Sequence, residues 1–453
     1  MYNKLVFFLI FTLNLSISQA VDLEEALKNG YNNDEQLKII RSDFLNEIEQ
    51  FPRALAGFMP KVSAGINATD SKIKSKSNNP LAQKASSNGS GYSKNLMLEQ
   101  QIFNGGSNVA ELKAAQSSFR SSKGAYYAKE QSIFLDEITS YLNCVEALEK
   151  YNISKISVKS NKTQLEAIKE KFKLGESTET EVASAVSALA SAESDESLAY
   201  ANLEANKANF TRIFALEPID IKMPVLASDI PGSLEELTEK AIISNPNILS
   251  SQHSTKASKA NEYVAKGALL PQVSFRVQTG DNRYNPEDSS TNSFNNDSVT
   301  STLSVNIPIL SRGGVEYSDI RRAKYQTKKT VLQLEAQIKQ VKSNCKATWE
   351  AFSASKTRLS ASLEGVKAAE IAYEGAMQEE KLGSKTLVDV QIYEERLNDA
   401  RQTKVEAQKA LVLISYQIKS LIGELTAEKM NLKVDYFDPD AEFKKLKLRI
   451  VGF

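Results

Sequence analysis

Several residue types are scarce in this chain of 453 residues, and each scarcity argues against a class of function. There is one histidine, so a histidine-based metal or acid–base site is not expected. The two cysteines, Cys144 and Cys345, are too few for a disulfide scaffold and lie in helical patterns, where reduced cysteine acts as a small hydrophobic residue. Basic and acidic residues both number 56, so the basic surface of a general nucleic-acid binder is missing.

The sequence also lacks the groupings that enzymes and cofactor proteins need. It contains no nucleophile–base pair, no phosphate-binding loop and no cluster of metal ligands at a recognisable spacing. We therefore expect neither catalysis nor a cofactor.

Long apolar runs are confined to the N-terminus. Lys4 precedes an apolar run from Leu5 to Leu15, and Ser18-Gln19-Ala20 places small residues at the −3 and −1 positions of a cleavage site. This arrangement predicts a secretory signal peptide over residues 1–20. No later run reaches the roughly 18 apolar residues of a transmembrane helix, which predicts a secreted, periplasmic or outer-membrane protein.

Two similar stretches organise the rest of the chain. They are Gly175-Glu-Ser-Thr-Glu-Thr-Glu-Val182, called the first tip, and Gly383-Ser-Lys-Thr-Leu-Val-Asp-Val390, called the second tip. A long helical pattern precedes each glycine and another follows it. Glycine supplies the left-handed backbone that ends a helix, and Thr178 or Thr386 is suited to cap the next helix. Each stretch is therefore predicted to turn a helical hairpin.

The pattern around each tip occurs twice along the chain, which indicates two internal repeats. In each, a predicted helix (22–59 or about 233–270) precedes two strands with alternating apolar and polar residues, then a long helix and a return helix. Polar segments at 71–93 and 280–298 are predicted to be the loops between paired strands. The predicted divisions are the signal peptide 1–20, a first repeat 21–216, a linker 217–232, a second repeat 233–425 and a C-terminal tail 426–453, expected to be periplasmic.

Strands that are apolar on one face fit an outer-membrane barrel, although a soluble sandwich shows the same alternation. Polar loops at one end of the strands and helices at the other favour the membrane. Val305 and Ile307 are predicted to meet lipid, whereas Ser304 and Asn306 are predicted to line a lumen. Four strands cannot close a barrel, so several chains must contribute, and three would give about twelve strands.

In order and spacing, the motifs resemble the TolC-type outer-membrane efflux channel family over about residues 22–425. The resemblance implies a mostly α fold with a membrane β-barrel portion. In a homotrimer, a twelve-stranded β-barrel would continue as a periplasmic α-helical barrel. It also implies docking to a periplasmic adaptor and an inner-membrane transporter. The carrying motifs are Leu23-Glu-Glu-Ala-Leu27, Pro60-Lys-Val-Ser63, Pro271-Gln-Val-Ser274, Pro308-Ile-Leu310 with Gly313-Gly314, and the second tip.

The resemblance assigns an aperture to the second tip. Asp389 matches the first of two acids that ring the narrow end of the tunnel in this family. Ile392 stands where the second acid is, so one acidic ring is expected here. A plainer interpretation of Asp389 is an acid at a helix start, where it favours the helix dipole.

The resemblance also implies a latch between the tips. Lys385 matches a basic residue of that latch, as lysine in place of arginine, and Thr180 and Glu181 of the first tip are its expected partners. Glu380 occupies the position of an aromatic latch residue. We therefore expect Lys385 to pair with Glu380 or Glu181.

These expectations together describe a passive exit duct in the cell outer membrane. Drugs, toxic small molecules or secreted polypeptides would pass through it, driven by a partner inner-membrane pump of an efflux or type I secretion system. The alternatives are a periplasmic coiled-coil adaptor, which normally has one hairpin, and a coiled-coil structural protein, which needs no alternating strands. The sequence specifies neither the exported substrate nor the partner pump.

Overall fold

The structure, a computed structural model, describes residues 21–75, 85–286 and 293–447. The predicted signal peptide lies outside the described residues. The described chain forms two units, and each draws segments from both predicted repeats. The hairpin unit comprises 21–40, 127–245 and 341–436; the strand unit comprises 41–126, 246–340 and 437–447.

The strand unit contains one antiparallel sheet with the strand order β1-β2-β3-β4. The strands extend further than the alternation predicts, so the predicted loops 71–93 and 280–298 are too long. The reason is that the backbone hydrogen bonds between strands continue into stretches where both faces of the sheet are polar. Such stretches show no alternation of apolar and polar residues in the sequence. The strands are β1 Lys61–Ser75, β2 Ala85–Asn104, β3 Gln272–Pro286 and β4 Phe294–Asn306.

One face of this sheet is apolar and exposed. Leu98 lies opposite Val62 on one side and Val277 on the other, so the three share a face. Ser304 and Asn306 lie on the opposite, polar face. Ile307 falls just beyond the end of β4. Exposed hydrophobic residues on the apolar face are Val62, Ile66, Leu96, Leu98, Phe275, Val299, Leu303 and Val305.

Ten helices complete the described chain, and the two long ones have 67 residues each. None of the helices in the described part of the chain has both the length and the apolar character needed to cross a bilayer. The helices are α1 Leu23–Asn33, α2 Glu35–Ile48, α3 Gln50–Ala56, α4 Ser107–Lys173, α5 Glu179–Phe214, α6 Leu234–Ser244, α7 Pro246–Gly267, α8 Val315–Lys381, α9 Leu387–Leu421 and α10 Pro439–Lys447.

The single helix predicted over residues 22–59 is wrong, because the segment forms three helices. Asp34 ends α1 in extended backbone, with φ −63° and ψ 122°. Its carboxylate then accepts a hydrogen bond from the Gln36 backbone N–H at 2.7 Å, which caps α2. Asn245 has nearly the same backbone angles before Pro246 and separates α6 from α7. A short polar residue thus breaks the helix where the apolar period continues across it.

Aromatic side chains fill the core of the hairpin unit. The Tyr141 ring lies 6.0 Å from that of Phe210. Its hydroxyl donates to the backbone oxygens of Val21 and Lys222, both at 3.1 Å, and so fixes two segments outside the helices. Burial raises the pKa of the Tyr141 hydroxyl to about 12 and that of the Cys144 thiol to about 11. Cys144 is fully buried, as expected of a small hydrophobic residue.

A buried acid stands out in the same unit. Glu137 is 1% exposed, and neither carboxyl oxygen has a hydrogen-bond partner among the described residues. The group lies against Gly30, where a Cβ atom would come within 2.7 Å of Oε1. Burial, then the charges of Asp34, Glu130 and Asp136, raise the pKa of Glu137 well above 4.5. The carboxyl is therefore neutral over a range in which exposed glutamate is charged.

The C-terminal tail, for which the sequence pattern predicts no element, contains α10, which lies within the strand unit. Phe443 of α10 stacks on Phe119 at 3.8 Å and meets the Phe51 ring edge-on at 4.9 Å. Asp440 pairs with Lys123 of α4. An aromatic cluster and an ion pair thus hold this helix in place.

Candidate functional site

The first tip is built by backbone hydrogen bonds at the end of α4. Gly175 has φ 78°, the left-handed region that favours glycine. Its N–H donates to the Phe172 carbonyl at 3.0 Å, and the Glu176 N–H donates to the Lys171 carbonyl at 2.8 Å. This is the Schellman pattern, which satisfies carbonyls that the end of the helix leaves free.

A capping box then starts α5. The Thr178 hydroxyl oxygen accepts from the Glu181 N–H at 3.2 Å, and the Glu181 carboxylate accepts from the Thr178 N–H at 2.8 Å. The Ser177 hydroxyl also donates to this carboxylate, at 2.7 Å. Thr180 is exposed in the first turn of α5. Glu181 therefore serves first as part of its own helix cap.

The second tip repeats this construction. Gly383 has φ 76°, and the Ser384 N–H donates to the Glu379 carbonyl at 2.9 Å. The Thr386 hydroxyl oxygen accepts from the Asp389 N–H at 3.2 Å. In return, the Asp389 carboxylate accepts from the Thr386 N–H at 2.9 Å and its hydroxyl at 2.7 Å.

The cap acids of both tips have lowered pKa values. The backbone hydrogen bond from Thr178 is the main reason that the pKa of Glu181 lies below 4.5. The corresponding bond from Thr386 lowers the pKa of Asp389 below 3.8. Both acids are ionised at neutral pH, and both have carboxylates held by the caps.

Lys385 contacts different residues from those expected. Its Nζ atom lies 3.1 Å from Glu379 Oε2 and 4.2 Å from the centroid of the Tyr393 ring. The Glu379 carboxylate is the main reason that the pKa of Lys385 is raised above 10.5. Both contacts are made within the second hairpin. An ion pair and a cation–π contact together hold the lysine against its own tip.

The expected partners of Lys385 are engaged elsewhere within the protomer. Glu380 Oε1 pairs with Lys171 Nζ of α4 at 2.7 Å, and Glu181 belongs to its cap. The pairing of Lys385 with Glu380 or Glu181 is therefore corrected to Glu379. The pair of Lys171 with Glu380 does join the two hairpins.

Apolar packing also joins the two hairpins beside the tips. Leu165 and Ile168 of α4, Ala185 of α5 and Leu387 of α9 form one buried cluster. Nearby, the Ser184 hydroxyl lies 3.2 Å from the Gln391 side-chain oxygen. The first and second tips are thereby held side by side.

Beyond this cluster, a polar cavity of about 400 Å³ opens between α4, α5 and α9. Glu394 lines it, is 6% exposed and accepts a hydrogen bond from Gln164 at 2.8 Å. Burial raises the pKa of Glu394 above 4.5. Ile392, which stands at the position of the missing second acid, also lines this cavity. Sequence reasoning overlooked Glu394, although a glutamate that directly follows Tyr393 and lies at helical spacing from Leu397 was the available signal.

Comparison with known proteins identifies the family. The family model described as "Outer membrane efflux protein" matches residues 49–215 and 237–424. The outer membrane efflux protein BepC of Brucella suis is 22% identical over 430 residues, covering 95% of this chain and 91% of BepC. The outer membrane protein TolC of Vibrio cholerae is 25% identical, covering 94% of this chain and 95% of its own length.

Solved structures share the fold. The Campylobacter jejuni CmeC outer membrane channel aligns with a TM-score of 0.77 at 18% identity, covering 94% of this chain and 89% of CmeC. The outer membrane protein VceC of Vibrio cholerae aligns with a TM-score of 0.74 at 17% identity, covering 88% and 96%. The chain therefore belongs to the outer membrane efflux protein family and is a channel, not an enzyme, of the cell outer membrane with a large helical periplasmic portion.

Proposed function

We propose that three copies of this chain form the exit duct of a tripartite assembly. The duct would receive drugs, toxic small molecules or secreted polypeptides from an inner-membrane transporter through a periplasmic adaptor. Export is passive at the level of this chain, and the transporter supplies the driving force. The observation that carries this proposal is the four-stranded sheet.

The sheet supports a trimer because of its edges and its exposed face. Within the described protomer, β1 and β4 each pair with one strand only, which leaves two open edges. In lipid, backbone groups at an open edge have no water to bind, so a membrane sheet must close. Pairing of β4 with β1 of the next copy satisfies both edges. Three copies give about twelve strands, within the range of known barrels.

The apolar face of the sheet supports its placement against lipid. Ile66 and Val299 are 76% and 74% exposed in the protomer, which is costly in water. Turning this face outward places the polar face, including Ser304 and Asn306, in the lumen. The long helices then form the wall of a periplasmic tunnel that ends at the tips.

The tips are the proposed gate of this tunnel. Three copies of Asp389 would ring the aperture, and the contacts of Lys385 with Glu379 and Tyr393 would hold each second hairpin in its closed form. Thr180, Glu181 and Glu380 remain candidate latch residues through contacts with a neighbouring copy. In this proposal, adaptor binding releases the tips.

Assembly and strand facing can be tested in one preparation. The full chain is extracted in detergent and its mass measured by light scattering, with a trimer expected. In a Cys144→Ala, Cys345→Ala background, single cysteines at positions 304, 305, 306 and 307 are then labelled in membranes with a charged thiol reagent. Labelling of 304 and 306 with protection of 305 and 307 is expected.

Two results would contradict the proposal. A monodisperse monomer with full strand content in detergent would show that the sheet needs no partner copies. Equal labelling at all four positions would remove the distinction between the lipid and lumen faces. Recovery of the chain in the soluble fraction would instead favour a periplasmic adaptor or a structural coiled coil.

A further inference from the structure

The apolar face of the sheet ends in charged and aromatic side chains on the side of the hairpin loops. Leu96 of β2 and Val299 of β4 belong to one row of the apolar face, and Ile66 of β1 is the last large apolar residue, one row nearer the loops. Two residues beyond Leu96 towards the loops, the same face carries Lys94 opposite Asp281. One more step along the strands pairs Tyr92 with Arg283, and these residues define the end of the apolar band.

Lys94 and Arg283 each lie over the ring of Tyr92, and these three residues are called the rim cluster. Lys94 Nζ lies 5.4 Å and Arg283 Cζ 5.6 Å from the centroid of the Tyr92 ring, so one aromatic ring serves two cations. Arg283 Nε also lies 3.3 Å from Asp281 Oδ1, which fixes the guanidinium in place. Lys94 has no ion pair with a residue of the described chain.

Among the described residues, the opposite face of the sheet has no such cluster at this level. Ser93, Asn95, Gly280 and Asn282 occupy the corresponding positions there, and all are uncharged. Charges that only kept a loop end soluble would have no reason to select one face. Lys94 and Arg283 instead lie on the same face of the sheet as the apolar residues.

We propose that the rim cluster binds the phosphate of a lipid headgroup in the outer leaflet. This inference rests on the proposed lipid-facing side of the sheet. The other strand ends join the helices of the periplasmic portion, so this end lies on the outer side. Tyrosine is typical of the aromatic girdle that flanks the apolar band of such barrels.

The chemistry of the cluster fits a phosphate. The Lys94 stem can follow the apolar surface while its ammonium group reaches the headgroup level. The planar guanidinium of Arg283 presents two donors to phosphate oxygens. Asp281, and Asp297 opposite it on β4, balance the two cations. We therefore expect phosphate binding to depend on the position of the cluster at the end of the apolar band, and not on a net positive charge.

The experiment measures lipid binding to the full-length protein in neutral detergent. Native mass spectrometry follows a titration with dilauroyl phosphatidic acid, with dilauroyl phosphatidylcholine as the zwitterionic arm and inorganic phosphate as the free-anion arm. Preferred binding of phosphatidic acid is expected. Lys94→Gln and Arg283→Gln should each weaken it about fivefold, corresponding to about 1 kcal/mol for a basic residue near an anionic surface.

Two further variants test whether the position of a cation and its hydrogen-bond donors matter beyond its charge. Arg276→Gln removes a cation from β3 on the polar face, where Arg276 pairs with Glu99 at 3.0 Å, and should leave phosphatidic acid affinity unchanged. Arg283→Lys keeps the charge but loses the paired donors, and should weaken binding less than Arg283→Gln. The conservative variant also provides the test if the glutamine variant fails to fold.

Each other outcome overturns the inference. Unchanged affinity in the Lys94→Gln, Arg283→Gln double variant would exclude the rim cluster as the site. Equal competition by inorganic phosphate would show a free-anion site without lipid preference. If binding of phosphatidic acid requires added Mg²⁺ and is unchanged by both substitutions, the lipid phosphate is held by carboxylates through a bridging cation and not by the rim cluster. If all variants keep the mass of a trimer, the proposed duct stands even when the lipid site is excluded. Failure of the lipid site and failure of the proposed function are therefore distinguishable.

Discussion

The first and second tips share a backbone and differ in side chains. In both, a left-handed glycine ends the long helix, and a threonine with an acid three residues later caps the return helix. The difference lies two residues after the glycine. Ser177 there strengthens the cap of its own tip, whereas Lys385 contacts Glu379 and Tyr393.

This comparison separates the residues that form a turn from those that form the proposed gate. The hairpin requires only glycine and the capping box, which both tips have. The second tip adds a charged contact between the end of α8 and the second turn of α9. The proposed gate needs a contact of modest free energy that a partner can replace, and an ion pair at the surface is of that kind.

Charge reversal at the second tip should give the largest effect. Lys385→Glu places a carboxylate beside Glu379 and removes the cation from the Tyr393 ring. In the proposed trimer, the closed form would lose this contact in all three copies, so resting conductance in planar bilayers should rise severalfold.

The matched control makes the same charge reversal beside the first tip. Lys173→Glu disrupts only an exposed pair with Glu170 on the same helix, at 2.6 Å, and should leave the resting conductance unchanged. Equal conductance changes in the two variants would show that Lys385 has no special role.

Neutralising the cap acids should distinguish the tips by ion selectivity. Asp389→Asn keeps a side-chain oxygen for the Thr386 N–H, so the cap persists while the proposed ring of charge is lost. Cation selectivity should be largely removed, because low-dielectric walls focus the field of such a ring. The reversal potential in a salt gradient measures this change.

Glu181→Gln is the corresponding change at the first tip and should leave the selectivity nearly intact. If both variants shift the reversal potential equally, the charge at the aperture is shared between the tips. If neither does, Asp389 is a helix cap alone and the constriction lies elsewhere.

Removing a cap should affect the two tips alike. Thr178→Ala and Thr386→Ala each delete the side-chain half of a capping box, at a cost of about 1 kcal/mol to the local helix start. Amide hydrogen exchange in the first turns of α5 and α9 should accelerate about fivefold in the respective variant. Loss of protection in only one of them would mean that the shared backbone construction is not equally important.

The smallest expected effect is that of pH on the tips. The pKa values of Glu181 and Asp389 are lowered on folding. Their stabilisation is therefore present above the ordinary values of 4.5 and 3.8, and is lost as the pH falls through the lower folded values. Exchange protection at both tips, corrected for intrinsic rates, should be constant from about pH 6 to 9 and decline together below about pH 4.

Glu137 provides the opposite trend within the same unit. Its pKa is raised, so its contribution is fully present below 4.5 and is lost as the pH rises through the folded value. Glu137→Gln should therefore increase the melting temperature at pH 7.5 and change it little at pH 4. A gain that is the same at both pH values would contradict a buried neutral carboxyl.

The helices were predictable because their signals are local. Gly175 and Gly383 with their capping threonines fix the helix ends within about two residues, since turn and cap depend on neighbours in sequence. The presence of the four strands, although not their full length, was predictable from the alternation of apolar and polar residues. Asp34 was missed as a helix break because the apolar period continues on both sides of it.

The side-chain contacts of the site were less predictable. The choice of Lys385 between Glu379 and Glu380 depends on how α8 is rotated where it ends, which the sequence spacing does not determine. The ends of the strands depend on pairing with distant residues, such as Ser75 with Ala85 and Ser90 with Asn285. Such partners are set by the assembled sheet.

The equal length of α4 and α8 restricts how such a chain can change through evolution. Each helix has 67 residues, about 100 Å at 1.5 Å per residue. Loss of seven residues from α8 alone would shorten that helix by about 10.5 Å and separate Leu387 from Leu165 and Ile168. A matching loss from α4 would restore the packing. Insertions and deletions in the long helices should therefore survive as pairs, one in each repeat.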